Sequence, residues 1–99
     1  MGTERPPVEV KRYDLGHGVS WSKAVTSEGE WIGILKWHVC KDPDGRLTAG
    51  GVNFENAPDW VTGPRWHVIK EEPLTISPSV HCVTCGLHGF IQEGQWVPA

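Results

Sequence analysis

A small, mostly β domain of antiparallel hairpins is predicted from three observations on this 99-residue chain. Runs rich in β-branched and aromatic residues are separated by turn residues, which is the pattern of strands. No stretch sustains a helical hydrophobic period. Glycine and proline, 12 and 8 residues, punctuate the chain often enough to break any long element. A chain of this size buries about 65% of its unfolded surface, which supports one modest core and makes an additional staple valuable.

Residues 1–12, with Pro6-Pro7 and mixed charge, read as an extended arm or edge strand, and residues 13–99 as the domain itself. Trp31 to Cys40 is the strongest strand. Asp42-Pro43-Asp44-Gly45 follows as a turn with proline pre-set at its second position, and Arg46 to Phe54 returns, so 31–54 is a hairpin. Alternation puts Ile32, Ile34, His38 and Cys40 on one face of the first strand and Trp31, Leu35, Trp37 and Val39 on the other. Both faces are apolar, which predicts cover on both sides. A loop from Asn56 to Pro64 leads into a strand at Arg65–Lys70, then a short one at Leu74–Ile76 between two prolines. Gly89-Phe90-Ile91 and Trp96-Val97 flank Gln92-Glu93-Gly94-Gln95, a tight hairpin turn.

Six tryptophans stand out in so short a chain. Trp37 and Trp66, on strands, are expected in the core. Trp60 lies in a polar loop and reads as a contact residue, and Phe90 and Trp96 on the last hairpin extend the same expected interaction surface to a protein partner. The net charge of −3 comes from scattered basic residues with no cationic block, which disfavours nucleic acid. Three cysteines without a disulfide-scaffold spacing, no apolar run of transmembrane length and no signal-peptide pattern at the first residues predict a soluble intracellular protein, with a homo-oligomer allowed.

The chemistry concentrates at Ser77-Pro78-Ser79-Val80-His81-Cys82-Val83-Thr84-Cys85-Gly86-Leu87-His88-Gly89. Two thiolates three residues apart chelate one ion from a tight turn, and Gly86 supplies the left-handed backbone that turns amides toward the sulfurs. Thiolate plus imidazole is a soft tetrahedral set, so zinc is the expected ion and the fold is expected to be zinc-ribbon-like. Cys40 is the third expected ligand and His88 the fourth, with His38, His81 and His67 as substitutes; His17 reads as a surface residue. The competing readings are that Cys40 is a small buried apolar residue and that Cys82 and Cys85 form a redox dithiol.

Catalytic motifs are missing where they were sought. A zinc deaminase needs a ligand-x-Glu motif and a Pro-Cys-x-x-Cys, whereas here His38 is followed by Val39-Cys40 and Cys82 is preceded by His81. His-Glu-x-x-His and Gly-x-Ser-x-Gly are absent as well, and Glu71 and Glu72, as neighbours on a strand, point to opposite faces. The expectation is a closed structural site and no turnover.

Leu74-Thr75-Ile76-Ser77-Pro78-Ser79-Val80, then Cys82, Cys85, His88-Gly89-Phe90-Ile91 and Gly94, resembles a family of small bacteriophage and prophage proteins. In that family a Pro-Thr-x-Ser-Pro-Ser-[Ile/Val] stretch precedes a Cys/His cluster and a His-x-Phe-[Ile/Val]-x-x-Gly hairpin. His38 and Cys40 stand where that family has an upstream cysteine cluster. The resemblance covers the last third of the chain and implies a phage-associated zinc-binding protein in the bacterial host cytoplasm. Its expected role is an accessory protein-interaction module; a virion structural component and a zinc hydrolase or deaminase relative are the alternatives.

Overall fold

The computed structural model describes residues 11–40 and 45–99, so the turn expected at Asp42–Asp44 and most of the expected amino-terminal arm lie outside the described residues. The described residues contain nine strands and no helix: β1 (Tyr13–Gly16), β2 (Val19–Val25), β3 (Trp31–Cys40), β4 (Arg46–Phe54), β5 (Arg65–Lys70), β6 (Thr75–Ser77), β7 (Val80–His81), β8 (His88–Gln92) and β9 (Gln95–Pro98). The mostly β fold class is therefore the observed one. No described helix is long and apolar enough to cross a membrane.

β1 to β6 form one six-stranded sheet in chain order, and β7, β8 and β9 form a three-stranded meander. The meander packs back on the larger sheet, β8 against β6 and β9 against β1, so the structure curls around a shared interior. Pairing is antiparallel except between β4 and β5, which run parallel through Asn53↔Arg65 and Phe54↔Trp66. That parallel step departs from the expected all-antiparallel arrangement. Its physical basis is the connecting loop: the Arg65 guanidinium donates to the carbonyls of Ala57, Pro58 and Val61, closing the return without a crossover helix.

Two turns of the same chemistry shape the ends. His17-Gly18 and Glu93-Gly94 each carry two consecutive residues at positive φ, 56° and 76° in the first and 52° and 70° in the second. Such turns match the right-handed twist of the strands they join. The first hairpin, β1–β2, had no sequence expectation, because its apolar residues are interleaved with charge and glycine.

Leu15, Val19, Trp21, Ile34, Val52, Phe54, Leu74, Ile76, Val80, Ile91 and Trp96 form the core. The buried tryptophans are thus Trp21 and Trp96, whereas Trp37 and Trp66 are half-buried. Trp37 lies beneath the Arg12 guanidinium and donates to Ser22, which keeps its polar edge occupied near the surface. On β3 the face of Ile34, His38 and Cys40 is buried together with Lys36, while Val39 is exposed; cover on the second face is partial.

Trp96 sits directly over Gly89, where an added Cβ would lie 2.5 Å from the indole. Gly89→Ala is expected to destabilise the protein by about 1–3 kcal/mol through overpacking. At about 4–8 °C per kcal/mol for a domain of this size, calorimetry should read a clear fall in melting temperature. Gly50→Ala, whose Cβ meets open space, should not lower the melting temperature.

Candidate functional site

The first cluster is made by β3 and the turn after β7. Alternation along β3 turns Lys36, His38 and Cys40 to one buried side. Opposite them the chain from Cys82 to Leu87 folds into a knuckle: the Gly86 amide donates to the Cys82 carbonyl at 2.8 Å and the Cys82 amide to the Leu87 carbonyl at 2.7 Å. Gly86 takes φ of 81°, the left-handed conformation that the turn requires. The ligand atoms of His38, Cys40, Cys82 and Cys85 all lie within 4.8 Å of one another, an arrangement that can hold a metal ion.

The electrostatics fit a cationic occupant. The Cys85 amide holds the Cys82 thiol down to about 7; burial opposes this, and the Thr84 amide and the side chains of Cys85 and Cys40 add to the lowering. His38 places Nε2 3.4 Å from Cys85 Sγ, while its buried Nδ1 has no hydrogen-bond partner. Nε2 thus faces the sulfurs as a ligand nitrogen would, while Nδ1 is buried without the hydrogen-bond acceptor that commonly orients a ligating imidazole. Burial lowers the His38 pKa, with Lys36 pushing the same way. Lys36, only 3% exposed, is also lowered by burial, and the three nearby cysteines oppose that shift. A buried ammonium beside up to three thiolates offsets their charge; nothing in the spacing of the sequence singled it out.

The structure corrects the expected ligand set. His38, not His88, joins the three cysteines, because it lies on the same buried side of β3 as Cys40. His88 is exposed, with Nε2 2.8 Å from Ser79 Oγ. His81 pairs with His88 across β7 and β8, ring centroids 5.0 Å apart, and is likewise outside the cluster. His67 is engaged elsewhere, with Nδ1 2.8 Å from Glu55 Oε1. Of the residues expected to contact a partner, Trp60 is 77% exposed on the loop gripped by Arg65, and Phe90 is half-buried beside His88. Trp96 is withdrawn from that surface, being 2% exposed in the core where Gly89 leaves room for its indole.

The Ser79–His88 contact is the second feature. Ser79 ends the segment before β7 and His88 opens β8, so closing the knuckle between the two strands brings hydroxyl and imidazole together. Ser79 is further held by its own carbonyl, which accepts the Trp66 indole N–H at 3.2 Å. Other described serines are placed differently; Ser22, for instance, is fully buried and accepts from Trp37. The sequence displayed both residues, nine positions apart, but no established nucleophile motif joins them.

A family model described as bacterial ubiquitination-like system serine protease (BubE) matches residues 15–99. The chain belongs to that family. No curated protein and no solved structure matches it. The family match overturns the expectation of no turnover, since the family is described as a protease. That expectation rested on zinc-catalysis and Gly-x-Ser-x-Gly motifs and assigned His88 to the metal, which concealed the serine–histidine pair.

His38→Ala and Cys40→Ser should each reduce metal per chain severalfold, while His88→Ala should retain the full amount. Elemental analysis of the purified variants checks this; equal metal content in all three would return His38 and Cys40 to packing roles.

Proposed function

We propose that this chain is a serine protease in which Ser79 is the nucleophile and His88 the general base. The 2.8 Å approach of His88 Nε2 to Ser79 Oγ carries the reading, supported by the exposure of His88 beside a half-buried Ser79 and by the family's description. A serine hydroxyl is a weak nucleophile until an adjacent base takes its proton, and hydrogen-bond contact is the arrangement this requires. The Ser79 Oγ–H bond breaks as Oγ bonds to the substrate carbonyl carbon, and His88 Nε2 takes the proton. The peptide C–N bond then breaks as His88 passes that proton to the leaving amine, giving an acyl-serine. Water, deprotonated by His88, hydrolyses the ester, and Ser79 regains its proton.

In this reading the cluster of His38, Cys40, Cys82 and Cys85 holds zinc, the ion suited to three thiolates and an imidazole. With four protein ligands the ion is structural: it clamps the knuckle from which Ser79 and His88 diverge. Lys36 offsets the excess negative charge of the ligand set. The partner is a protein substrate in the bacterial cytoplasm, and exposed Trp60 on its braced loop is a contact residue for it.

A fluorophosphonate probe should label wild-type protein at Ser79. Ser79→Ala should abolish labelling and proteolysis while keeping zinc and melting temperature, and His88→Ala should slow labelling by 100-fold or more. Undiminished labelling of Ser79→Ala would refute the assignment. Stripping the zinc with a chelator should lower both the melting temperature and the labelling rate.

A further inference from the structure

β4 pairs with β3 from Arg46 to Asn53 but with β5 only at Asn53 and Phe54. Over Leu47–Val52 no described strand lies on its other side, so alternate backbone N–H and C=O groups there are directed away from β3. This edge borders a cleft of about 280 Å³. Residues 48–52 of β4 line it together with Lys36 and His38 of β3 on one side; residues 80–84 line the other, with Trp66 also on the boundary, so the cleft adjoins the cysteine–histidine cluster.

Two adjacent glycines inside a strand weaken it, by roughly 0.5–1 kcal/mol each relative to alanine, and call for a reason. The fold supplies none. Neither is among the glycines at positive φ, and a Cβ at either would meet nothing within 4 Å. At Gly33 and Gly89, by contrast, a Cβ would lie 2.5 Å from a neighbour. What Gly50 keeps open is the cleft: it pairs with Lys36, which lines the same space, whereas Gly51 pairs with Leu35 and turns to the opposite face. The far wall of the cleft leads to the proposed nucleophile: Val80 follows Ser79, Trp66 holds the Ser79 carbonyl, and the His81 ring lies 5.0 Å from that of His88.

We infer that this cleft is the substrate-binding site and that its occupant is an extended polypeptide, hydrogen-bonded as an added strand to the edge of β4. The inference rests on the protease reading. An extended segment satisfies the outward backbone groups of Leu47–Val52 and passes the glycines at close range, and the continuity of the far wall with Ser79 and His88 brings one of its peptide bonds to the hydroxyl. A side chain at position 50 would occupy the space the peptide needs.

The test compares wild type with Gly50→Val and Gly51→Val. Two probes are used: an alkyl fluorophosphonate, which needs only the serine–histidine pair, and a positional-scanning library of fluorogenic acetyl-tetrapeptide amides. Gly51→Val, on the opposite face, should keep the wild-type KM, whereas Gly50→Val should show KM raised tenfold or more on the best library substrates. Its kcat and fluorophosphonate labelling rate should stay within about twofold of wild type, with the melting temperature retained. Wild-type KM in Gly50→Val would overturn the cleft assignment. So would a wild-type protein that is labelled at Ser79 yet cleaves no library member, an outcome that leaves the serine–histidine pair standing. Absence of labelling in the folded wild type would instead overturn the protease reading.

Discussion

The knuckle from Cys82 to Leu87 is the constraint on which the other features depend. Its two backbone hydrogen bonds and the left-handed Gly86 fix where the chain leaves β7 and enters β8. That single reversal does two things at once. It points two thiols at β3, where His38 and Cys40 wait on a buried face, and it sets the register that puts His88 opposite His81 and within reach of Ser79. Metal-binding cluster and serine–histidine contact are therefore two outputs of one turn, separated by only three residues of chain on either side.

The division of labour among histidines follows from burial. His38 is enclosed, its pKa is lowered by desolvation, and its Nε2 faces the Cys85 sulfur, all of which suit a neutral ligand. His88 is exposed and touches a hydroxyl, which suits a group that must take and release protons. A sequence presents both as histidines near cysteines. Only the alternation of β3 and the pairing of β7 with β8 separates the imidazole of the cluster from the one at the serine.

Much of the fold was legible because period and punctuation agree: Trp31–Cys40, Arg46–Phe54 and Arg65–Lys70 carry strong β-formers between turn residues, and each is a strand. The three cysteines likewise converge as their spacing and strand position suggested. What was illegible depends on contacts between distant segments. The parallel step from β4 to β5 is closed by Arg65 reaching back over its own loop, and nothing local announces it. Trp96 resembles a surface anchor by position, yet the missing side chain of Gly89 gives its indole a place in the core. Lys36 looks like an ordinary solvated charge until the knuckle folds over it.

The two halves of the metal-binding cluster are far apart in the chain; His38 and Cys85 are separated by 47 positions. Bringing such a span to closure costs on the order of 3–4 kcal/mol of chain entropy beyond a minimal loop. An ion held by both halves acts as a reversible cross-link over that loop, and it can be captured only once β3 and the knuckle have met. A chain emerging from synthesis therefore completes this cluster late, after Cys82 and Cys85 have appeared. The serine–histidine pair lies on the same late segment, so a half-made chain has neither the cluster nor the proposed nucleophile in place.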